Sequence, residues 1–202
     1  MIEDGCLNGV DVIFGTHLWA TEPVGQIQYK IGPIMAAADR FSITIKGKGG
    51  HGAYPHTSKD PVITASQLVL NLQHIISRYL DPIQSAVITI GQIHGGNAFN
   101  VIADQVELIG TVRSFHEDVR LQIERDIEKI IKGTCFTNDC SYNYEYVRGY
   151  PPVVNHQDIT AFLAQCAKTV PDVTHVAECE KRMIGEDFAY YLQHVKGTFF
   201  FT

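Results

Sequence analysis

Between Ala38 and Val147 the hydrophobic pattern switches repeatedly between a period of two and a period near 3.6, and the order of the switches leaves few folds open. Arg40 to Lys46 alternates, apolar at Phe41, Ile43 and Ile45, as a strand with one face on a core does. Ser58, Asp60 and Pro61 carry the start signals of a helix running to about Tyr79, with Val62, Ala65, Leu68, Val69, Leu72, Ile75 and Ile76 on one stripe and Asp81-Pro82 to stop it. Ser85 to Ile93 alternates again, Gly95-Gly96-Asn97 turns the chain, and Asn100 to Phe115 sets Val106, Leu108, Gly110 and Val112 on one face. Those two strands are expected to pair antiparallel. A second helix opens at His116, Glu117 and Asp118 and extends to about Lys132, with Val119, Ile123, Ile127, Ile130 and Ile131 on its apolar side; Tyr142 to Val147 closes the series as a strand. The series β-α-β-β-α-β is the ferredoxin-like plan, both helices on one face of the sheet.

The flanks have a different character. Gly9 to Trp19 contains a dense apolar run, Val10, Val12, Ile13 and Phe14, that predicts a buried strand of a parallel sheet. Gln26 to Ile31 reads as a short strand ended by Gly32-Pro33, where a hinge or domain boundary fits. After the ferredoxin-like segment come helices at Asp158–Thr169 and Glu186–Gln193 and an apolar strand, Thr198–Phe201. The expected fold is therefore α/β, with a ferredoxin-like domain at 37–148 inserted between two segments, 1–36 and 149–202, of a partial α/β domain. The chain opens in mid-pattern and stops on a strand, as a piece of a longer polypeptide would.

At 202 residues and 45% hydrophobic, the chain is able to bury a real core. Its net charge of -6 comes from interspersed charges, so neither a nucleic acid nor a membrane surface is the expected partner. Five cysteines with no Cys-x-x-Cys indicate neither a disulfide framework nor a thiolate zinc site, and a reducing cytoplasm is the simpler context. No basic and apolar leader opens the sequence, and no stretch approaches 18 apolar residues.

Two histidines carry the candidate chemistry. Lys46 to His56, Lys-Gly-Lys-Gly-Gly-His-Gly-Ala-Tyr-Pro-His, places four glycines around His51 in the turn between the first strand and first helix of the insert. Such a loop lets the backbone bend sharply and presents an imidazole at the surface, although the glycines equally serve a plain β-to-α turn. His17 falls just past the carboxyl end of the first apolar strand, where ligands gather in open α/β sheets; simple packing beside Trp19 is the other reading.

Five motifs in order then resemble the dinuclear metallo-amidohydrolases that include hippurate hydrolases, aminoacylases, auxin-conjugate hydrolases and glutamate carboxypeptidases. They are Gly15-Thr16-His17-Leu18-Trp19; Gly47 to His56; His94-Gly95-Gly96-Asn97-Ala98-Phe99-Asn100-Val101-Ile102-Ala103-Asp104; Gly110 to Phe115; and Gly185-Glu186-Asp187-Phe188. The resemblance implies metal-dependent hydrolysis of the amide bond of N-acyl amino acids by a homodimer, joined through the ferredoxin-like lid, that holds two divalent cations, zinc, manganese or cobalt. It implies that His17 is a metal ligand and that His51 reaches the neighbouring subunit's active site to stabilise the tetrahedral intermediate. Asn100 and Arg113 match lid positions that hold substrate carbonyl or carboxylate groups, a task for which a guanidinium fork suits Arg113.

Each of these residues also has a plainer use. Asn100 could cap the turn into its strand, and Arg113 could be a solvated or cross-strand-paired charge. Glu186 and Asp187 read as first-turn acids of the following helix, His56 as loop architecture and His94 as a turn residue. Ala103 replaces the family's usual proline, Gly185 its serine, and Gly52 its alanine. The family's upstream His-x-Cys-Gly-His motif, its Glu-Glu pair and its last metal histidine are not in this sequence, so an incomplete metal site and little or no activity are expected of the chain alone. The alternative is a non-catalytic dimerisation module whose glycine loop binds a small anion.

Overall fold

The computed structural model describes residues 1–202. In chain order the strands are β1 (Val12–His17), β2 (Gln26–Tyr29), β3 (Gly32–Met35), β4 (Ala37–Lys46), β5 (Gly50–His51), β6 (Ala86–Gly95), β7 (Val101–Ile102), β8 (Gln105–Ser114), β9 (Ser141–Tyr150), β10 (Val153–Asn155), β11 (His175–Glu178) and β12 (Lys196–Phe201). The helices are α1 (Pro61–His74), α2 (Glu117–Thr137), α3 (Gln157–Ala167) and α4 (Ala189–Leu192). They form two compact units, one of Asp39–Gly149 and one of Met1–Ala38 with Tyr150–Thr202.

In the Asp39–Gly149 unit a four-stranded sheet has the order β6-β8-β4-β9, the ferredoxin-like arrangement expected from the pattern. Phe41, Ile43 and Ile45 of β4 and Val106, Leu108 and Val112 of β8 are buried against Leu68 and Leu72 of α1 and Ile123, Ile127 and Ile131 of α2 in one core. β6 and β8 are antiparallel from Ala86↔Ser114 to Gly95↔Val106, with a bulge between Ile90 and Gln92 that takes up Gly91. The Asp60 carboxylate caps α1 by accepting from the Val62 and Ile63 N–H groups at 2.8 and 3.3 Å. Beyond His74 the helix loosens into a π turn, Ile75–Tyr79, whereas α2 runs past the expected Lys132 to Thr137. Thr134 and Cys135 continue its buried stripe across Gly133, so one exposed glycine does not end it.

This unit begins and ends on one carboxylate. Asp39 is fully buried and accepts from Arg120 Nε at 2.8 Å and Nη2 at 2.5 Å, from the Tyr146 hydroxyl at 2.8 Å and from the Gly149 N–H at 3.0 Å. Asp39 keeps the Arg120 guanidinium charged beyond its ordinary range, and burial together with Asp39 raises the Tyr146 hydroxyl pKa well above its usual value.

In the other unit the sheet order is β1-β12-β2-β11, with β1 parallel to β12 and β11 parallel to β2; β10 pairs antiparallel with β3. Ile34, Met35, Val153, Phe188, Phe199 and Phe201 form its core. β1 is an edge strand flanked only by β12, so it is not the buried strand its composition predicts: Phe14 is 46% exposed. Gly32-Pro33 opens β3 instead of ending an element, and the chain first crosses between units at Ala38–Asp39. The helix expected at Glu186–Gln193 shrinks to α4, which leaves Glu186 and Asp187 ahead of it in a turn. No helix is long and apolar enough to cross a membrane.

Candidate functional site

The His51 loop and the Asn100 turn, 49 positions apart in sequence, are joined side by side. β5 pairs antiparallel with β7, Gly50 opposite Ile102 and His51 opposite Val101, and the Gly52 N–H donates to the Asn100 carbonyl at 2.8 Å. Asp104 extends the ladder: its carbonyl accepts from the Gly47 N–H at 2.8 Å and its Oδ1 from the Gly49 N–H at 3.0 Å. Close approach explains the glycines. A Cβ on Gly47 would collide with the Lys59 carbonyl oxygen, and one on Gly49 would fall 2.6 Å from Asp104 Oδ1.

The His51 imidazole is exposed, and its Nδ1 accepts from the Ala53 N–H at 3.1 Å. The neutral ring therefore carries its proton on Nε2, which makes it a hydrogen-bond donor. Its ring lies 5.7 Å from that of Tyr54; Tyr54, Val101 and the fully exposed Phe99 give this polar site an apolar rim. Asn100 is exposed beside it.

Arg113 is elsewhere on the unit. It sits near the far end of β8, eight residues past Gln105 and roughly 26 Å along the strand. There it faces Val87 across the ladder, and its Nη1 donates to the Thr111 hydroxyl and, at 3.0 Å, to the Val112 carbonyl. Within one copy, then, His51 and Asn100 come together and Arg113 stands apart.

His17 ends β1 in the other unit, opposite Phe201 of β12, with its ring 5.7 Å from Trp19 and half exposed. Its Nδ1 lies 3.6 Å from a Glu186 carboxylate oxygen, so the acid assigned to a helix start faces the imidazole instead. Burial, then the hydrogen bond and charge of Asp187, raise the Glu186 pKa above the ordinary carboxylate value, while His17 pulls it down. An imidazole nitrogen and a carboxylate oxygen suit a divalent cation, but no third His, Cys, Asp or Glu is placed to hold a metal ion together with them. The chain alone does not close the three-ligand shell that catalytic sites use. In the sequence Glu186 reads as a first-turn acid of a helix, and Asp104 as the last residue of the His94–Asp104 motif; neither pattern names the partner that its carboxylate meets.

Residues 37–137 match the peptidase dimerisation domain of the M20 family. The chain belongs to the M20 peptidase family. It is 59% identical over 202 residues to the Bacillus subtilis protein YhaA, covering all of this chain and 51% of that one. To the N-acyl-L-amino acid amidohydrolase of Geobacillus stearothermophilus it is 45% identical over 158 residues, 78% of this chain and 43% of the relative. A crystal structure of the Bacillus subtilis YXEP protein, described as a dinuclear metal-binding peptidase of the M20 family, superposes with a TM-score of 0.81 at 32% identity, over 99% of this chain and 50% of that one. The chain thus spans about half the length of the M20 relatives it matches.

Proposed function

We propose that this chain forms the lid and flanking strands of an M20 enzyme that hydrolyses the amide bond of N-acyl amino acids as a homodimer, and that it is inactive by itself. The observation that carries the reading is His51, whose Nδ1 is occupied and whose Nε2–H is left to donate, beside Asn100 on the dimerisation domain. When bound, two divalent cations supply an acidified water and polarise the scissile carbonyl. His51 donates from Nε2 to the oxygen on which negative charge develops, and the Asn100 amide holds the substrate carbonyl. Arg113 binds the amino acid carboxylate with its guanidinium fork. His17 and Glu186 furnish ligands to one cation from this chain, and the remaining ligands lie outside it. Because Arg113 stands near one end of β8 while His51, on β5 beside β7, lies beyond the other, one copy's lid serves two centres, and each centre draws on two copies.

The dimer contact is assigned to β6 and α1. β6 is a ten-residue edge strand, Ala86 to Gly95, without a single Asp, Glu, Lys or Arg, whereas the opposite edge, β9, carries Glu145 and Arg148. A long uncharged edge is a template for pairing. Ile93 and Gly95 of β6 share a cavity of about 120 Å³ with Val62 and Ser66 of α1, which makes strand and helix one apolar surface. An anion-binding role for the loop is disfavoured because the N–H groups of Gly47, Lys48, Gly49, Gly52, Ala53 and Tyr54 are already spent on protein acceptors.

The test is hydrolysis of N-acetyl and N-benzoyl amino acids by the full-length protein, with and without divalent metal, alongside the 202-residue chain. His51→Ala is expected to lower kcat roughly 100- to 1,000-fold, the usual effect of losing one oxyanion donor. Mixed dimers of His51→Ala with a variant disabled at His17 should regain activity. No turnover of any N-acyl amino acid by the full-length protein, or activity in the isolated chain, would refute the reading.

A further inference from the structure

We infer that Asp104 is a positioning residue that locks the His51 loop and the Asn100 turn into one rigid piece; this rests on the roles given to His51 and Asn100 above. The two segments touch through a short ladder of rungs: Gly47 N–H to the Asp104 carbonyl, Gly49 N–H to Asp104 Oδ1, the Gly50–His51 pairing with Ile102–Val101, and Gly52 N–H to the Asn100 carbonyl. All rungs but one are backbone to backbone and survive any change of side chain. The exception is Asp104 Oδ1, which holds the N–H two residues before His51.

The sequence is shaped around that rung. Gly49 has no room for a side chain, because a Cβ there would lie 2.6 Å from Asp104 Oδ1 and 2.8 Å from the Ile102 carbonyl oxygen, and Ala103, next to Asp104 in the chain, is buried. Asp104 itself is exposed, so its side chain adds nothing to the core; its use is to fix where the loop lies. A short polar side chain that bonds local backbone is suited to this, and the bond is to a loop 55 positions away. An imidazole freed by about an ångström from its place opposite the reacting oxygen loses up to roughly 100-fold in rate.

In the full-length enzyme, Asp104→Ala is expected to lower kcat roughly 10- to 100-fold, with KM changing by less than about 3-fold. Asp104→Asn keeps a carbonyl oxygen as acceptor and should restore kcat to within about 3-fold of the parent. In the 202-residue chain, amide exchange at Gly49 should quicken in Asp104→Ala and return to the parent rate in Asp104→Asn. A normal kcat in Asp104→Ala while His51→Ala is impaired overturns the inference and leaves the reading of His51 standing. So does an Asp104→Asn variant as slow as Asp104→Ala. If His51→Ala itself has no effect, the underlying reading has failed; unchanged Gly49 exchange in Asp104→Ala then shows separately that there is no lock.

Discussion

The glycine-rich turn around His51 is legible in sequence because four glycines fall within the six positions 47–52, and a Cβ at each of them would crowd a neighbouring atom. Gly47→Ala should therefore cost about 1–3 kcal/mol, since its Cβ meets backbone that cannot rotate away; urea denaturation of the 202-residue chain measures it. What composition did not show is the acceptor of each N–H. Asp104 and Glu186 act through partners 55 and 169 positions away, and no local pattern encodes such distances. Cys135 gives a residue-scale prediction on pH. Burial first, with Cys140 adding, raises its thiol from the ordinary 9.0 to about 11. The folded state then holds this proton more tightly than the unfolded chain does. The stability it contributes is present in full below pH 9 and lost as pH rises toward 11, by at most about 3 kcal/mol. Cys135→Ala should flatten that alkaline decline, read from unfolding midpoints between pH 8 and pH 11.

Long elements with one buried face are legible in sequence, whereas of the shortest strands only β2 is. β4, β6, β8 and β9 are ten residues each, long enough for alternation to show, and α1 and α2 each bury a continuous stripe. β3, β10 and β11 have three or four residues, too few for any period, and they exist because neighbouring strands complete their hydrogen bonds. β1 was misjudged for a related reason: apolar composition fixes that a strand forms, while its place at the sheet edge fixes how much of it is covered. At this scale Asp60→Ala should cost about 1 kcal/mol by removing the α1 cap, seen as a lower midpoint in thermal unfolding. Val62→Lys combined with Ile93→Asp should convert a dimer to monomers in sedimentation velocity, with the circular dichroism spectrum unchanged.

Across the whole molecule the division into units follows from how the chain is held at the crossing points. The Asp39 carboxylate grips Arg120, Tyr146 and Gly149, so replacing it leaves a guanidinium only 6% exposed without its main partner. Asp39→Ala should destabilise the Asp39–Gly149 unit by about 3–5 kcal/mol, in the range for breaking a buried pair, and amide exchange should place the loss in that unit first. The same grip has a meaning for how such a protein can be assembled. With the N–H of its last residue hydrogen-bonded at 3.0 Å to the side chain of its first, the two ends of the segment lie side by side, and it needs only two adjacent cuts in a host. It is shaped as a cassette, transferable between scaffolds without stretching either.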